Sequence, residues 1–189
     1  MRDKTMSNFE NELKKIIKDD QHMMEILQAV EQLHLQDSWI CAGFIRNKVW
    51  DVLHQTHTAA RDIDVIYFDH QDISKETEKL LEKKLYEIVP NQPWSVKNQA
   101  RMHLKNGIKP FTSSYDGVAH FPEIPTSVAI KVQNDQLEIM APYGLEDLFQ
   151  KKVKPTPGYQ KGSPLHRIYV QRMKEKQWNT IWKDLIIEI

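Results

Sequence analysis

Apolar positions recur at three- and four-residue spacings between Asn8 and Leu35, where Phe9, Leu13, Ile16, Ile17, Met24, Leu27, Val30 and Leu33 form a helical stripe. Asp19-Asp20-Gln21 interrupts it, and because Asp favours caps and turns the pattern predicts two helices with a break there. The apolar run from Ser38 to Ala42 fits a buried strand that ends at Gly43. From Phe44 to Gln55 the period returns to that of a helix, with Ile45, Val49 and Leu53 on one face. After a polar loop, Asp62 to Phe68 is rich in β-branched and aromatic residues and reads as a strand. Ser74 is a good N-cap for a helix reaching about Val89, which Pro90 stops. The stretch from Trp94 to His103 reads as a strand running into a short helix, and 106–125 as loop. Val128 to Val132 and Leu137 to Met140 predict a hairpin with its turn at Gln133 to Gln136. Short helices around Leu145 to Gln150 and from His166 to about Trp178 complete the chain, joined by the stiff Lys154-Pro155-Thr156-Pro157-Gly158.

This alternation of helices and strands predicts an α+β fold. It is expected to have a small mixed or antiparallel sheet, helices on one face and a C-terminal helical element. At 189 residues, 40% hydrophobic and 28% charged, the chain suits one globular unit over 1–189. Its parts are an N-terminal helical segment at 8–35, a core at 38–155 and a C-terminal extension at 156–189. Lys and Arg total 26, as do Asp and Glu, which argues against constitutive binding to nucleic acid. The Lys-rich tail from Lys151 to Lys183 still leaves room for a local contact. A single cysteine, Cys41, excludes an internal disulfide and sits in an apolar run as a small hydrophobe. No apolar run approaches the roughly 18 residues that span a bilayer. The polar N-terminus lacks a signal-peptide stretch, so the expected location is cytoplasmic.

Candidate chemistry concentrates in two places. Asp62 and Asp64 lie two apart on a strand, so their carboxylates point to one face with Cα atoms roughly 6.5–7 Å apart. That pair suits Mg²⁺, which takes one or two carboxylates and completes its shell with water and phosphate oxygens. The alternative for the pair is simple strand-end solvation. Gly43 opens a helix whose N-terminal N–H groups and dipole favour a phosphate. Arg46 in its first turn offers a bidentate fork for a triphosphate, or else a salt bridge to Asp51 or Asp64. Asn47 offers a donor to a phosphate or a cap for a loop.

The ordered set Ala42-Gly43-Phe44-Ile45-Arg46-Asn47 then Asp62-Ile63-Asp64-Val65 resembles the polymerase-beta-like nucleotidyltransferase superfamily. Its shape is similar to the Gly-Gly-x-Val-Arg-Asp and Asp-x-Asp pattern of CCA-adding enzymes and bacterial poly(A) polymerases. With Trp94 to His103 and Ala141 to Phe149 added, the chain also resembles a bacterial family of predicted nucleotidyltransferases over about residues 38–155. The resemblance implies a Mg²⁺-dependent transfer of a nucleoside monophosphate from an NTP to an acceptor hydroxyl. Asp62 and Asp64 would be the metal-binding catalytic pair, and Gly43, Arg46 and Asn47, with Asn98 and Arg101, would bind the nucleotide. The sequence departs from the pattern in three places. Phe44 takes a turn position usually held by a small residue, which predicts a crowded phosphate seat. Asn47 replaces an Asp. The superfamily's third carboxylate has no clear match, because Ser95 occupies the segment searched first and Asp116 and Glu138 are weak substitutes. These departures keep a second expectation open, a nucleotidyltransferase-fold module that binds nucleotide or protein with little or no activity.

Overall fold

The computed structural model describes residues 2–105 and 107–189, with side chains from residue 8 on. Two helices, α1 (Arg2–Lys18) and α2 (Gln21–Glu31), are split where the sequence predicted, and the Asp20 carboxylate caps α2 by accepting from the Met23 N–H at 3.0 Å. There follow β1 (Trp39–Cys41), α3 (Gly43–His54), β2 (Ile63–Tyr67), α4 (Lys75–Ile88), β3 (Trp94–Asn98) and α5 (Gln99–Met102). The segment expected to be loop contains α6 (Ser114–Ala119). Its start is capped by Ser113, and Gly117 packs so closely on Gln99 that a Cβ there would lie 2.4 Å from the Gln99 side-chain oxygen. Next come β4 (Ala129–Gln133), β5 (Gln136–Met140), α7 (Glu146–Phe149), β6 (Lys152–Val153), α8 (His166–Lys176) and β7 (Ile186–Ile187). The predicted hairpin is present, and its two-residue turn places Asn134 and Asp135 at φ of 49° and 60°, a left-handed geometry that Asn and Asp tolerate.

The five-stranded sheet has the order β3-β2-β1-β4-β5 and is mixed, because β2 and β3 run parallel across α4 while the other pairs are antiparallel. One face carries Ile40, Ile63, Val65, Val96, Ile130 and Val132 into the main core with Leu13, Ile17, Ile26, Leu27, Ile45, Val49 and Leu85 from the helices. Each such aliphatic side chain, fully buried, contributes roughly 1.5–3 kcal/mol relative to exposure. The opposite face has a smaller cluster of Trp39, Cys41, Ile66, Ala129 and Met140, covered by Val118 of α6. The outer edge at β3 is closed by α4: the Val96 and Asn98 N–H groups donate to Glu82 at 2.9 Å and Glu78 at 2.7 Å.

The C-terminal part forms more than the helix expected of it. After α8, Trp178 and Trp182 pack edge-on against Trp50 of α3, and β7 pairs with β6 in a small parallel sheet. Among the described residues, no helix is long and apolar enough to cross a membrane.

Candidate active site

The strand β1 ends where α3 begins, and β2, running antiparallel to it, starts at that same end of the sheet. The register sets Cys41 opposite Asp64. Asp62, just before β2, and Asp64 within it therefore stand beside the N-terminus of α3, on the face away from the main core. The reversal from β1 to α3 is made at Ala42, whose φ of 60° and ψ of −128° suit glycine. Its N–H donates to the Val128 carbonyl at 3.1 Å and its carbonyl accepts from the Arg46 N–H at 3.0 Å, so the strained residue is held from both sides. Strain of this kind costs roughly 1–3 kcal/mol and concentrates at ligand-binding turns. Ala42→Gly is expected to raise the stability of the protein by about 1 kcal/mol, read by urea denaturation. An unchanged or lower midpoint counts against strain there.

Phe44 does not crowd the turn. It is buried in the main core, and the small pair of the turn is Ala42-Gly43. A Cβ added at Gly43 would stand 3.5 Å from Nη2 of Arg46 and 4.0 Å from Oδ1 of Asp62. The missing side chain thus leaves a slot with a guanidinium on one wall and a carboxylate on the other. Because those distances are ordinary van der Waals contacts, Gly43→Ala is expected to fold normally and to weaken nucleotide binding by roughly tenfold or more, since a methyl group fills the approach to the helix N-terminus. Equal affinity in a calorimetric titration of the variant would refute the slot.

Arg46 is 6% exposed. Its Nη1 donates to Thr126 Oγ1 at 2.7 Å and its Nη2 to Asn47 Oδ1 at 2.8 Å, while its guanidinium carbon lies 4.1 Å from the Trp178 ring centre and 5.2 Å from that of Trp50. Burial lowers its pKa to about 10, against which Glu123, Asp62 and Asp64 act, so it stays charged at neutral pH. It makes no salt bridge to Asp51. That carboxylate takes Thr56, the backbone and hydroxyl of Thr58, and the Trp182 indole N–H. Asn47 serves as the clamp on Arg46.

Asp64 is half-buried and its pKa is raised from 3.8 to about 6, first by burial and then by the charge of Asp62. The Ser95 hydroxyl, Lys97 and Arg46 pull the other way. Burial and the two carboxylates likewise push the Cys41 thiol up. Glu123, Arg172, Asp62 and Asp64 act on Arg46, and Lys97 acts on Asp64, so three cationic groups face three carboxylates. A carboxylate pair on one strand face, partly open to solvent, fits a Mg²⁺ ion that brings its own waters and phosphate ligands.

Among the described residues, no third acid joins the pair. Ser95 stands opposite Asp64 in the register of β2 and β3. Asp116 accepts from the Thr112 N–H at 3.0 Å within the α6 cap, and Glu138 pairs with Lys131 at 3.2 Å on the outer strands. Among the described residues, no group of three His, Cys, Asp or Glu side chains is arranged to hold a metal.

Asn98 and Arg101 are not brought to this site. Asn98 pairs with Tyr67, one step out of phase with Ser95, so it faces the helices rather than the carboxylates. It is fully buried, where its amide donates to the Asp69 and Asp72 carbonyls and its oxygen accepts from the Asp69 N–H. Arg101 grips Glu78 of α4 with Nε at 2.8 Å and Nη2 at 2.5 Å. Asn98 ties the end of β3 to the turn after β2, and Arg101 ties α5 to α4. The sequence reading missed Thr126, Trp178 and the ion pair of Glu123 with Arg172, since each reaches Arg46 only through the fold. Their one sequence signal is a tail with more tryptophan than a solvated helix needs.

The Gly43 turn, its clamped arginine and the Asp62/Asp64 pair define a nucleotidyltransferase-type head, and comparison with known proteins agrees. The chain belongs to a nucleotidyltransferase family, whose model, described as "Nucleotidyltransferase", matches residues 28–187. It is 37% identical to a protein whose NMR structure reveals a CCA-adding enzyme head domain, with 94% of this chain and 95% of that one covered at a TM-score of 0.82. It shares its fold with a CCA-adding enzyme in complex with CTP (12% identity, TM-score 0.56, covering 94% of this chain and 43% of that one). The same holds for a tRNA nucleotidyltransferase complexed with a primer tRNA and an incoming ATP analog (14% identity, TM-score 0.52, 86% and 46%). The chain spans less than half the length of these last two. No curated protein matches it significantly.

Proposed function

We propose that the protein transfers a nucleoside monophosphate from an NTP to an acceptor hydroxyl, with Mg²⁺ held by Asp62 and Asp64. The observation that supports this most is the slot at Gly43, which sets a buried arginine and a carboxylate pair beside a helix N-terminus. Mg²⁺ would supply charge neutralisation for the phosphates and the leaving pyrophosphate. The chain's own part is positioning. The N–H groups at the start of α3 seat the triphosphate, and Arg46 adds a fixed positive edge. The acceptor oxygen forms its bond to the α-phosphorus as the bond to the bridging oxygen breaks and pyrophosphate leaves. With Ser95 rather than an acid opposite Asp64, the acceptor proton passes to solvent, and the rate rests on orientation and electrostatics rather than on a strong base.

Ser95 in place of an acid opposite Asp64 favours a second reading, a head that binds nucleotide and transfers it slowly or not at all. Calorimetric titration of ATP, GTP, CTP and UTP, with and without Mg²⁺, separates the cases on wild type and on Asp62→Asn/Asp64→Asn. Metal-dependent binding lost in the double variant supports the site, and pyrophosphate release with an added acceptor then separates enzyme from module. Absence of binding by wild type, or equal binding by the variant, sinks the transferase reading and leaves a module that binds nucleotide or protein.

A further inference from the structure

Arginines that meet phosphate are commonly held by a carboxylate, which orients them but cancels part of their charge and occupies their donors. Arg46 is held differently. Glu123, the buried acid whose charge acts most on it, is taken up by Arg172, whose Nε donates at 2.6 Å and Nη2 at 3.2 Å. The Arg46 guanidinium instead lies over the Trp178 ring at 4.1 Å, with neutral oxygens of Thr126 and Asn47 on its outer nitrogens. Its Nε is buried without a hydrogen-bond partner. A ring face fixes the guanidinium plane without using any N–H and without supplying a negative charge.

We infer that Trp178 is a positioning residue for the nucleotide: its ring sets the plane of Arg46 so that the Nη2 edge lines the Gly43 slot with no carboxylate hydrogen-bonded to it. The inference rests on the nucleotide-binding reading of that slot. Trp178 is itself well placed for this task. It is 5% exposed, follows the left-handed Gln177 that ends α8, and meets Trp50 edge-on at 5.5 Å between ring centres. Trp50 in turn meets Trp182 at 5.1 Å, and the Trp182 indole N–H donates to the buried Asp51 at 2.9 Å. The segment after α8 is thereby fastened to α3 at Arg46, Trp50 and Asp51. It belongs to the nucleotide site rather than to a separate appendage.

The test compares Trp178→Leu, which fills space without a ring face, with Trp178→Phe, which keeps one. Both are titrated with the four Mg-NTPs in wild-type and Arg46→Ala backgrounds. Trp178→Leu is expected to weaken binding roughly tenfold and Trp178→Phe to stay within about threefold of wild type. In the Arg46→Ala background Trp178→Leu should add no further loss, because the residue acts through the arginine. Equal losses in both backgrounds, or wild-type affinity in the Leu variant, overturn the positioning role while leaving the slot intact. A wild type that binds none of the four nucleotides ends the function reading and this inference together. Should the Leu variant fail to fold, the Arg46 Nε–H resonance of the wild-type protein decides. It is expected to lie upfield under the Trp178 ring and to move when Mg-ATP binds, and a resonance that stays in place overturns the proposal.

Discussion

Asp64→Asn is expected to make the ligand-free protein more stable at pH 8 while abolishing metal-dependent nucleotide binding. In the folded chain the Asp64 carboxyl titrates near 6 rather than at 3.8, with burial as the main cause and Asp62 next. A carboxyl whose folded pKa is raised favours the fold in its protonated form. That contribution is complete below about pH 4 and is lost as pH rises through 6. The rise corresponds to ~3 kcal/mol at 1.36 kcal/mol per pH unit, and solvent at this half-buried edge reduces it to about 1–2 kcal/mol. Asparagine carries no charge to desolvate, so the variant should match wild type near pH 4 and exceed it at pH 8 by roughly 2–6 °C in Tm. With Mg²⁺ and NTP at about a hundred times Kd, wild type should gain about 2.7 kcal/mol by linkage. The variant gains nothing, and the order of the two Tm values inverts. Transfer activity, where an acceptor is found, should fall by at least ~10³, as when a group aimed at developing charge is removed. Thermal scans at pH 4, 6 and 8, with and without ligand, settle the point: a variant less stable than wild type at pH 8 without ligand removes the argument that the pair is built for a cation.

The carboxylate pair was legible in the sequence because a strand's two-residue period is local: Asp62 and Asp64 must share a face once β2 forms. Helices α1 to α4 and the hairpin were legible for the same reason, each carrying its period and its cap or turn residues within a dozen positions. The same parity argument, applied to β3, puts Asn98 and Ser95 on opposite faces but does not say which of the two faces the carboxylates. What the sequence could not show is which strand lies beside which. Until β3 is known to pair with β2 in register, Ser95 has no neighbour and Asn98 no face. Phe44 was misjudged for a related reason. The turn's demand falls on Ala42, whose positive φ is invisible in a residue that usually avoids it. The short α6 has no room for a hydrophobic period and is held by Gly117 against Gln99, a contact across the fold. Arg46 offered two partners to sequence reasoning, a triphosphate or an acid, and the fold adds a third, the ring of a tryptophan 132 positions later.

The tail's basic character also changes meaning once the fold is known. Arg172 of α8, half-buried, pairs with Glu123, which is fully buried. Replacing Arg172 with Met strands that carboxylate, and breaking a buried pair from one side costs about 3–5 kcal/mol. Arg172 keeps 31% of its side chain exposed, so the lower end, ~3 kcal/mol, is expected, with a Tm drop of roughly 6–12 °C. Adding Glu123→Gln should recover much of the loss, because a neutral pair leaves no buried charge. Nucleotide affinity should not recover in step. The Glu123 carbonyl accepts from the Thr126 and Ser127 N–H groups and from the Ser127 hydroxyl, and Thr126 is the residue that fixes Nη1 of Arg46. Losing the ion pair frees the loop that carries Thr126, so the double variant should be restored in stability while binding Mg-NTP more weakly than wild type. If stability and affinity return together, the pair acts on folding alone, and the link from α8 through Thr126 to Arg46 is cut from the account of the site.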